Sequence, residues 1–177
     1  EQNPAVMPVQ VRKLQFPVTI LFESMEGFCR VTKATVKQLQ GCGYLCDGCT
    51  LVVNREGRRC HLVLYHANQP GRRLNFTLAH EVGHILLGHT HDGDGEEREA
   101  NAFAAELLMP RVLALELTRR LPAGADPARE LAHAFSTSLT VARLRLQSLG
   151  GAPTPLEERL LKRYSPILPD PVRPDVL

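Results

Sequence analysis

Residues 74–110 read LNFTLAHEVGHILLGHTHDGDGEEREANAFAAELLMP and hold the side chains best suited to chemistry, His80-Glu81-Val82-Gly83-His84. On a helix, histidines four apart project from one face, one turn from each other. With Zn–N bonds of about 2.0–2.1 Å, that spacing closes on a single ion. Glu81 lies about 100° round from His80. It is poorly placed as a ligand, but it can reach a water held at the metal. Phe76, Ala79, Val82, Leu86 and Leu87 supply apolar surface to pin the helix in a core, and Gly83 faces inward. An HExxH pattern alone is a weak signal, since two half-exposed histidines on an amphipathic helix look the same. The mid-helix setting and a good third ligand downstream favour the metal.

Several residues compete for that third position. His89 follows His84 by five residues, which rotates it well off the His80/His84 face. His91 invites comparison with HExxHxxGxxH zincins, but Leu87 and Thr90 stand where that pattern has Gly and His. Glu97 is favoured over both and over Glu99. It opens a helix whose face runs Glu97, Asn101, Ala104/Ala105, Leu108 at helical spacing. The alanines permit a close approach to the first helix, and Asn101, one turn on, suits a hydrogen bond to a liganding histidine. Glu96 and Glu99 read as solvent-facing residues that favour a helix N-terminus.

The elements that must position these groups are legible in part. The chain has 177 residues, 44% of them hydrophobic, with a net charge of +2. That length suits one domain with a true core, and the charge gives no reason to expect a polyanionic partner. No apolar run is long enough for a membrane span. EQNPAVMPVQ has no basic region followed by an apolar one, so no signal peptide is expected. VTILFESM has a strand's composition, and TKATVKQLQGCG reads as a short helix stopped by Gly41. Asp47-Gly48 and NREG are hairpin signals, predicting two or three antiparallel strands over about 43–66. Helices are expected over about 76–89 (with Asn75 or Thr77 as N-cap), 96–108, from Pro110 to 120, from Pro127 behind Asp126 as N-cap, and over 139–149. A short LEERLLKRY helix precedes an extended or mobile proline-rich tail. The expected fold class is α+β: a small antiparallel sheet against a zincin-type helical core, then C-terminal helices. The expected division is 1–122 as metallopeptidase core and 123–177 as C-terminal helical segment.

RRLNFTLAHEVGHILLGH, EREAN and FAAELLMP resemble the ImmA/IrrE family of metallo-endopeptidases, most specifically over residues 43–110. The resemblance implies His80, His84 and Glu97 as ligands to Zn2+ and Glu81 as catalytic base. Asn101 matches the family's position one turn after the third ligand. It further implies an endopeptidase whose protein substrate is a transcriptional repressor controlling stress responses or mobile elements, and the chain's cysteine usage points to the cytoplasm. In the expected mechanism Glu81 takes a proton from the attacking water and passes it to the leaving amine. A second oxyanion donor is wanted; Tyr65, His66, His89, His91 and His133 are all candidates, and the sequence selects none. The Arg72-Arg73 pair could line the substrate groove, with surface solvation the default.

Two features lie outside that resemblance. The chain has five cysteines, an odd number that suits a reducing compartment. GCGYLCDGCT carries Cys42, Cys46 and Cys49, with Cys60-His61 following. The Cys-x3-Cys-x2-Cys spacing is that of a radical iron–sulfur site, but those enzymes need a large barrel, and after Cys49 the chain turns to a hairpin and a protease-like helix. A structural zinc on Cys42, Cys46, Cys49 and Cys60 or His61 is more credible. Small buried hydrophobes are the simplest account. Farther on, ARELAHAFSTSLTVARLRLQSLG has the rhythm of a helix-turn-helix with Arg143 and Arg145 on its second helix. That supports an alternative, a DNA-binding or interaction module with a non-catalytic metal site. Two arginines make a weak footprint, so direct DNA binding is disfavoured.

Overall fold

The computed structural model describes residues 9–33, 47–91 and 93–164. Strands β1 (Ile20–Ser24), β2 (Gly48–Arg55) and β3 (Arg58–Tyr65) form one sheet in the order β1-β3-β2. Helices α1 (Met25–Thr32), α2 (Gly71–Leu87) and α3 (Asp94–Leu108) accompany it. Then come α4 (Arg111–Arg120), α5 (Pro127–Ala134), α6 (Leu139–Gln147) and α7 (Pro155–Tyr164). The class is α+β. Gln10–Ala104 is one compact unit, while the described residues from Ala105 on, with Val9, belong to a second; the boundary falls within α3.

The β2–β3 hairpin is the one that NREG predicts. Glu56 (φ 53°) and Gly57 (φ 77°) both sit in the left-handed region. A two-residue turn of that kind matches the twist of antiparallel strands, and it sets Arg55 opposite Arg58. The Asp47-Gly48 signal works differently: Gly48 opens β2, and the Asp47 carbonyl accepts from His66 N (3.2 Å) and Gln69 Nε2 (2.7 Å). The sheet is mixed and not antiparallel throughout, because β1 adds to β3 in parallel, Ile20 opposite His61. The helix predicted in TKATVKQLQGCG falls largely on residues 34–46 and, like the proline-rich tail, lies outside the described residues.

Strand alternation divides the sheet into two faces. Cys49 and Leu64 are paired and pack with Met25, alongside Phe28, Leu51 and Leu62, so α1 covers this face. The sequence reading missed α1. Its signal is Ser24, whose Oγ accepts from Gly27 N at 3.0 Å as N-cap. On the other face lie Gly48 and Thr50, and α2 lies over them. A Cβ at Gly48 would stand 2.6 Å from Thr77 Cγ2 and 3.3 Å from Glu81 Cγ, so only glycine lets the strand approach the helix this closely.

Helix α2 begins earlier than expected, at Gly71, because Asn75 and Thr77 are not its caps. Asn75 Oδ1 accepts from Val11 N (3.1 Å) and Thr77 Oγ1 donates to Gln69 Oε1 (3.0 Å). Leu78, Ala79 and Val82 are buried, while Leu87 is exposed. Gly88, at φ 74°, ends the helix as its left-handed C-cap.

In the second unit Asp126 caps α5 as predicted, its carboxylate accepting from Ala128 N at 3.0 Å with Pro127 in the first turn. Pro110 is the N-cap of α4, one position before its expected place. Thr154 and Glu157 form a reciprocal capping box on α7: Thr154 N donates to Glu157 Oε2 (2.7 Å), and Glu157 N to Thr154 Oγ1 (3.3 Å). Of the two arginines in the helix-turn-helix stretch, Arg143 is exposed. Arg145 is buried, its Nη2 3.0 Å from Glu106 Oε2. Burial lowers its pKa and Glu106 works against that loss.

Candidate metal centre

His80 and His84 lie in the last two turns of α2, with ring centroids 4.7 Å apart and Nε2 atoms 3.0 Å apart. Glu97, in the first turns of α3, places Oε2 3.4 Å from His80 Nε2 and Oε1 3.4 Å from His84 Nε2. One ligand atom from each of the three lies within 4.8 Å of the others, the one such grouping among the described residues. The histidine side chains are mostly buried and the Glu97 side chain is 44% exposed, so the cluster has a walled side and an open one.

Small residues make the convergence possible. A Cβ at Gly83 would lie 3.2 Å from Ala100 Cα and 3.1 Å from Phe103 Cδ1. Ala100 and Ala104 are fully buried. Helix α3 therefore runs against the backbone of α2, and Glu97, one turn before Ala100, reaches the histidines.

The second nitrogens of both rings are engaged. His80 Nδ1 is 3.1 Å from Asn101 Oδ1. An amide oxygen only accepts, so this contact is a hydrogen bond when the His80 proton is on Nδ1, which leaves the lone pair on Nε2. His84 Nδ1 is 3.0 Å from His89 Nδ1, and His89 Nε2 is 3.1 Å from Glu99 Oε2. His89 is thus behind a cluster histidine and not a third member of the cluster. The helical rotation that excluded it ends at Gly88, and the capped turn, with His89 N bonded to His84 O at 3.0 Å, folds it back. Glu99, expected to face solvent, is 68% exposed yet holds His89. His91 is 73% exposed and pairs with Glu96 at 3.3 Å.

Glu81 is buried, and Thr50 Oγ1 donates to its Oε2 at 2.7 Å. Nothing in the sequence motif pointed to Thr50. The signal was its place two residues after Gly48 on the strand that the helix must cover. The oxyanion candidates have different surroundings. Tyr65 OH accepts from Arg12 Nη1 (3.1 Å), His66 Nδ1 lies 3.4 Å from Glu26 Oε1, and His133 is exposed on α5. Arg73 Nε donates to Asp47 Oδ2 at 2.8 Å, and Arg72 is exposed.

The cysteines do not form a cluster among the described residues. Cys42 and Cys46 lie outside them, and Cys29, Cys49 and Cys60 are buried. Cys49 pairs with Leu64 and Cys60 with Val53, which sets the two cysteines four positions apart on one sheet face. At roughly 3.3 Å per residue that is about 13 Å. One zinc, with Zn–S bonds of about 2.3 Å, does not span it. Of the structural site expected on Cys42, Cys46, Cys49 and Cys60, the register keeps Cys49 and Cys60 from sharing one ion.

No helix among the described residues is long and apolar enough to cross a membrane. The model of one protein family, described as the IrrE N-terminal-like domain (Peptidase_M78), matches residues 52–147 of the 177. The matched stretch runs from β2 through the whole metal cluster to the end of α6. A search of curated proteins found no match.

Proposed function

Because the chain belongs to the IrrE N-terminal-like (Peptidase_M78) family, a metallopeptidase-type family, we propose that it is a zinc-dependent endopeptidase that hydrolyses a peptide bond in a protein substrate. The observation that carries this reading is the meeting of His80, His84 and Glu97 ligand atoms within 4.8 Å, with Glu81 buried one residue after His80 on the same helix. Two imidazole nitrogens and one carboxylate oxygen are a catalytic zinc set, which keeps a fourth position open. Bound there, zinc supplies Lewis acidity that lowers the pKa of water to about 7 and polarises a carbonyl.

The chain's own residues do the rest. Asn101 holds His80 with its Nε2 lone pair toward the cluster. Thr50 fixes one oxygen of Glu81, orienting the carboxylate for proton transfer. Glu81 accepts a proton from the attacking water as its oxygen bonds to the carbonyl carbon. It then delivers that proton to the amine nitrogen as the C–N bond breaks. The resemblance to ImmA/IrrE proteins supports a transcriptional repressor as substrate and a role in stress response or mobile-element control. It also supports action in the cytoplasm, a reducing setting in keeping with the free thiols at Cys29 and Cys60.

The test has two parts. Metal content by mass spectrometry should give one zinc per chain, lost or weakened by Glu97→Ala and retained by Glu81→Gln. Zinc-loaded protein incubated with a proteome-derived peptide library should generate new termini that Glu81→Gln protein does not. Zinc bound equally by Glu97→Ala, or identical new termini from Glu81→Gln, would overturn the assignment.

A further inference from the structure

We infer that His89 and Glu99 form a hydrogen-bonded relay behind His84 that keeps its proton on Nδ1 and its Nε2 lone pair toward the metal site. The inference rests on the zinc-peptidase reading and assigns two positioning residues to it.

The argument is a count of protons. His84 and His89 face each other through Nδ1 atoms 3.0 Å apart, ring centroids 4.9 Å apart and planes crossing at 76°. Two facing ring nitrogens make a hydrogen bond only when one proton lies between them. His84 Nε2 faces His80 Nε2 and Glu97 Oε1, so as a ligand it must be unprotonated and the proton belongs on His84 Nδ1. His84 Nδ1 therefore donates to His89 Nδ1. His89 then presents its own proton from Nε2 to Glu99 Oε2, 3.1 Å away.

An ionised carboxylate only accepts, so Glu99 sets the direction of the whole chain. In the reverse arrangement His89 would donate to His84 Nδ1, forcing a proton onto His84 Nε2 and blocking it as a ligand. It would also turn a lone pair of His89 Nε2 against the Glu99 oxygen. His89 is well placed for this task, its side chain only 7% exposed. Gly88 is what puts it there: the left-handed cap returns the chain so that His89 N bonds to His84 O. Glu97 and Glu99 stand about 200° apart round α3, which lets one helix serve the metal and the ring behind it separately. Asn101 gives His80 a single acceptor, whereas His84 has a two-residue relay.

The test is zinc affinity, measured by competition with a chelator at fixed pH, on wild type, His89→Ala, His89→Asn, Glu99→Ala and Glu97→Ala. Thermal melts of each variant accompany the titrations. His89→Ala should bind zinc about 10–100-fold more weakly, the usual cost of losing a partner behind a ligand. His89→Asn puts an accepting oxygen where Nδ1 stood and should recover most of the loss. Glu99→Ala should fall between wild type and His89→Ala. Ring-nitrogen NMR of zinc-loaded wild type should show the His89 proton on Nε2, a readout that mere packing would not determine. Wild-type affinity in His89→Ala beside a weakened Glu97→Ala would overturn the relay while leaving the zinc site intact. His89→Asn as weak as His89→Ala, or a His89 proton on Nδ1, would overturn it as well. Zinc binding absent from wild type itself would overturn the peptidase reading beneath it.

Discussion

Replacing Gly83 by Ala sets two effects of opposite sign against each other. In the middle of a helix alanine is favoured over glycine by about 1 kcal/mol. The added methyl, however, would stand 3.2 Å from Ala100 Cα, 3.3 Å from Ala100 O and 3.1 Å from Phe103 Cδ1. Carbon atoms settle at about 3.5–4.0 Å, so the contact with Ala100 falls short by roughly 0.3–0.8 Å. The Phe103 ring can turn aside; the backbone of Ala100 recedes only if α3 moves. Overpacking of this kind costs about 1–3 kcal/mol, so the net change is a loss of up to about 2 kcal/mol in urea melts of the metal-free protein. The larger effect is on zinc. Glu97 is three residues before Ala100 and travels with it, while a metal site tolerates about 0.2 Å of ligand displacement. Zinc affinity should fall by about tenfold or more, some 1.4 kcal/mol. Gly95→Ala is the control, because nothing lies within 4 Å of its added carbon; it should keep zinc affinity and gain up to about 1 kcal/mol. The double variant Gly83→Ala/Phe103→Leu relieves the ring but not the backbone and should stay weak. A Gly83→Ala protein as stable and as tight for zinc as wild type would refute the reasoning, and so would full rescue by Phe103→Leu.

Two further outcomes follow from the structure. Thr50→Val removes the 2.7 Å hydrogen bond to Glu81 without changing the side chain's shape. With a charge-assisted bond worth about 1.5–3 kcal/mol, kcat should drop about tenfold or more on a peptide from the cleavage screen, with KM and zinc content unchanged; a KM effect alone would remove Thr50 from the account. Burial works to raise the Glu26 carboxyl, but the amides of Glu26 and Ala67 and the His66 ring outweigh it and hold the pKa below the usual value. The stability this contributes is complete above the unfolded carboxyl pKa, about 4.3, and is lost as pH falls through the lower folded value. Glu26→Gln should therefore flatten the acid limb of a stability profile, and an unchanged limb would count against that pairing.

The legible parts of the fold are those decided by neighbours in the chain. Asp126 and Pro127 start α5 where a local rule puts them, and Glu56-Gly57 turns the hairpin because both positions need positive φ. Part of what the reading missed depends on partners outside the element concerned. Asn75 and Thr77 look like caps, but one is claimed by Val11 and the other by Gln69, so α2 starts at Gly71. The parallel pairing of Ile20 with His61 joins segments 41 residues apart, and alternation within β1 says which face is apolar without saying which strand lies beside it. Arg145 reads as a surface cation beside Arg143, yet α6 turns it inward onto Glu106.

The site divides along the same line. The His80–Glu81–His84 spacing is helix geometry, and Glu97 with Asn101 is a second helical spacing, so both were readable before any contact was known. Their meeting point was half readable: glycine and alanine at 83, 100 and 104 announce a close crossing, although not which turn of one helix faces which turn of the other. His89 was misjudged for a physical reason. A rotation of 100° per residue carries it away from His84 only while the helix lasts, and Gly88 stops the helix one residue earlier. The glycine that ends α2 therefore decides whether His89 is solvent-facing or stands behind His84. Moving that cap by a single residue would leave every motif residue unchanged and dismantle the support of His84. For this site the punctuation of the helix matters as much as the motif within it.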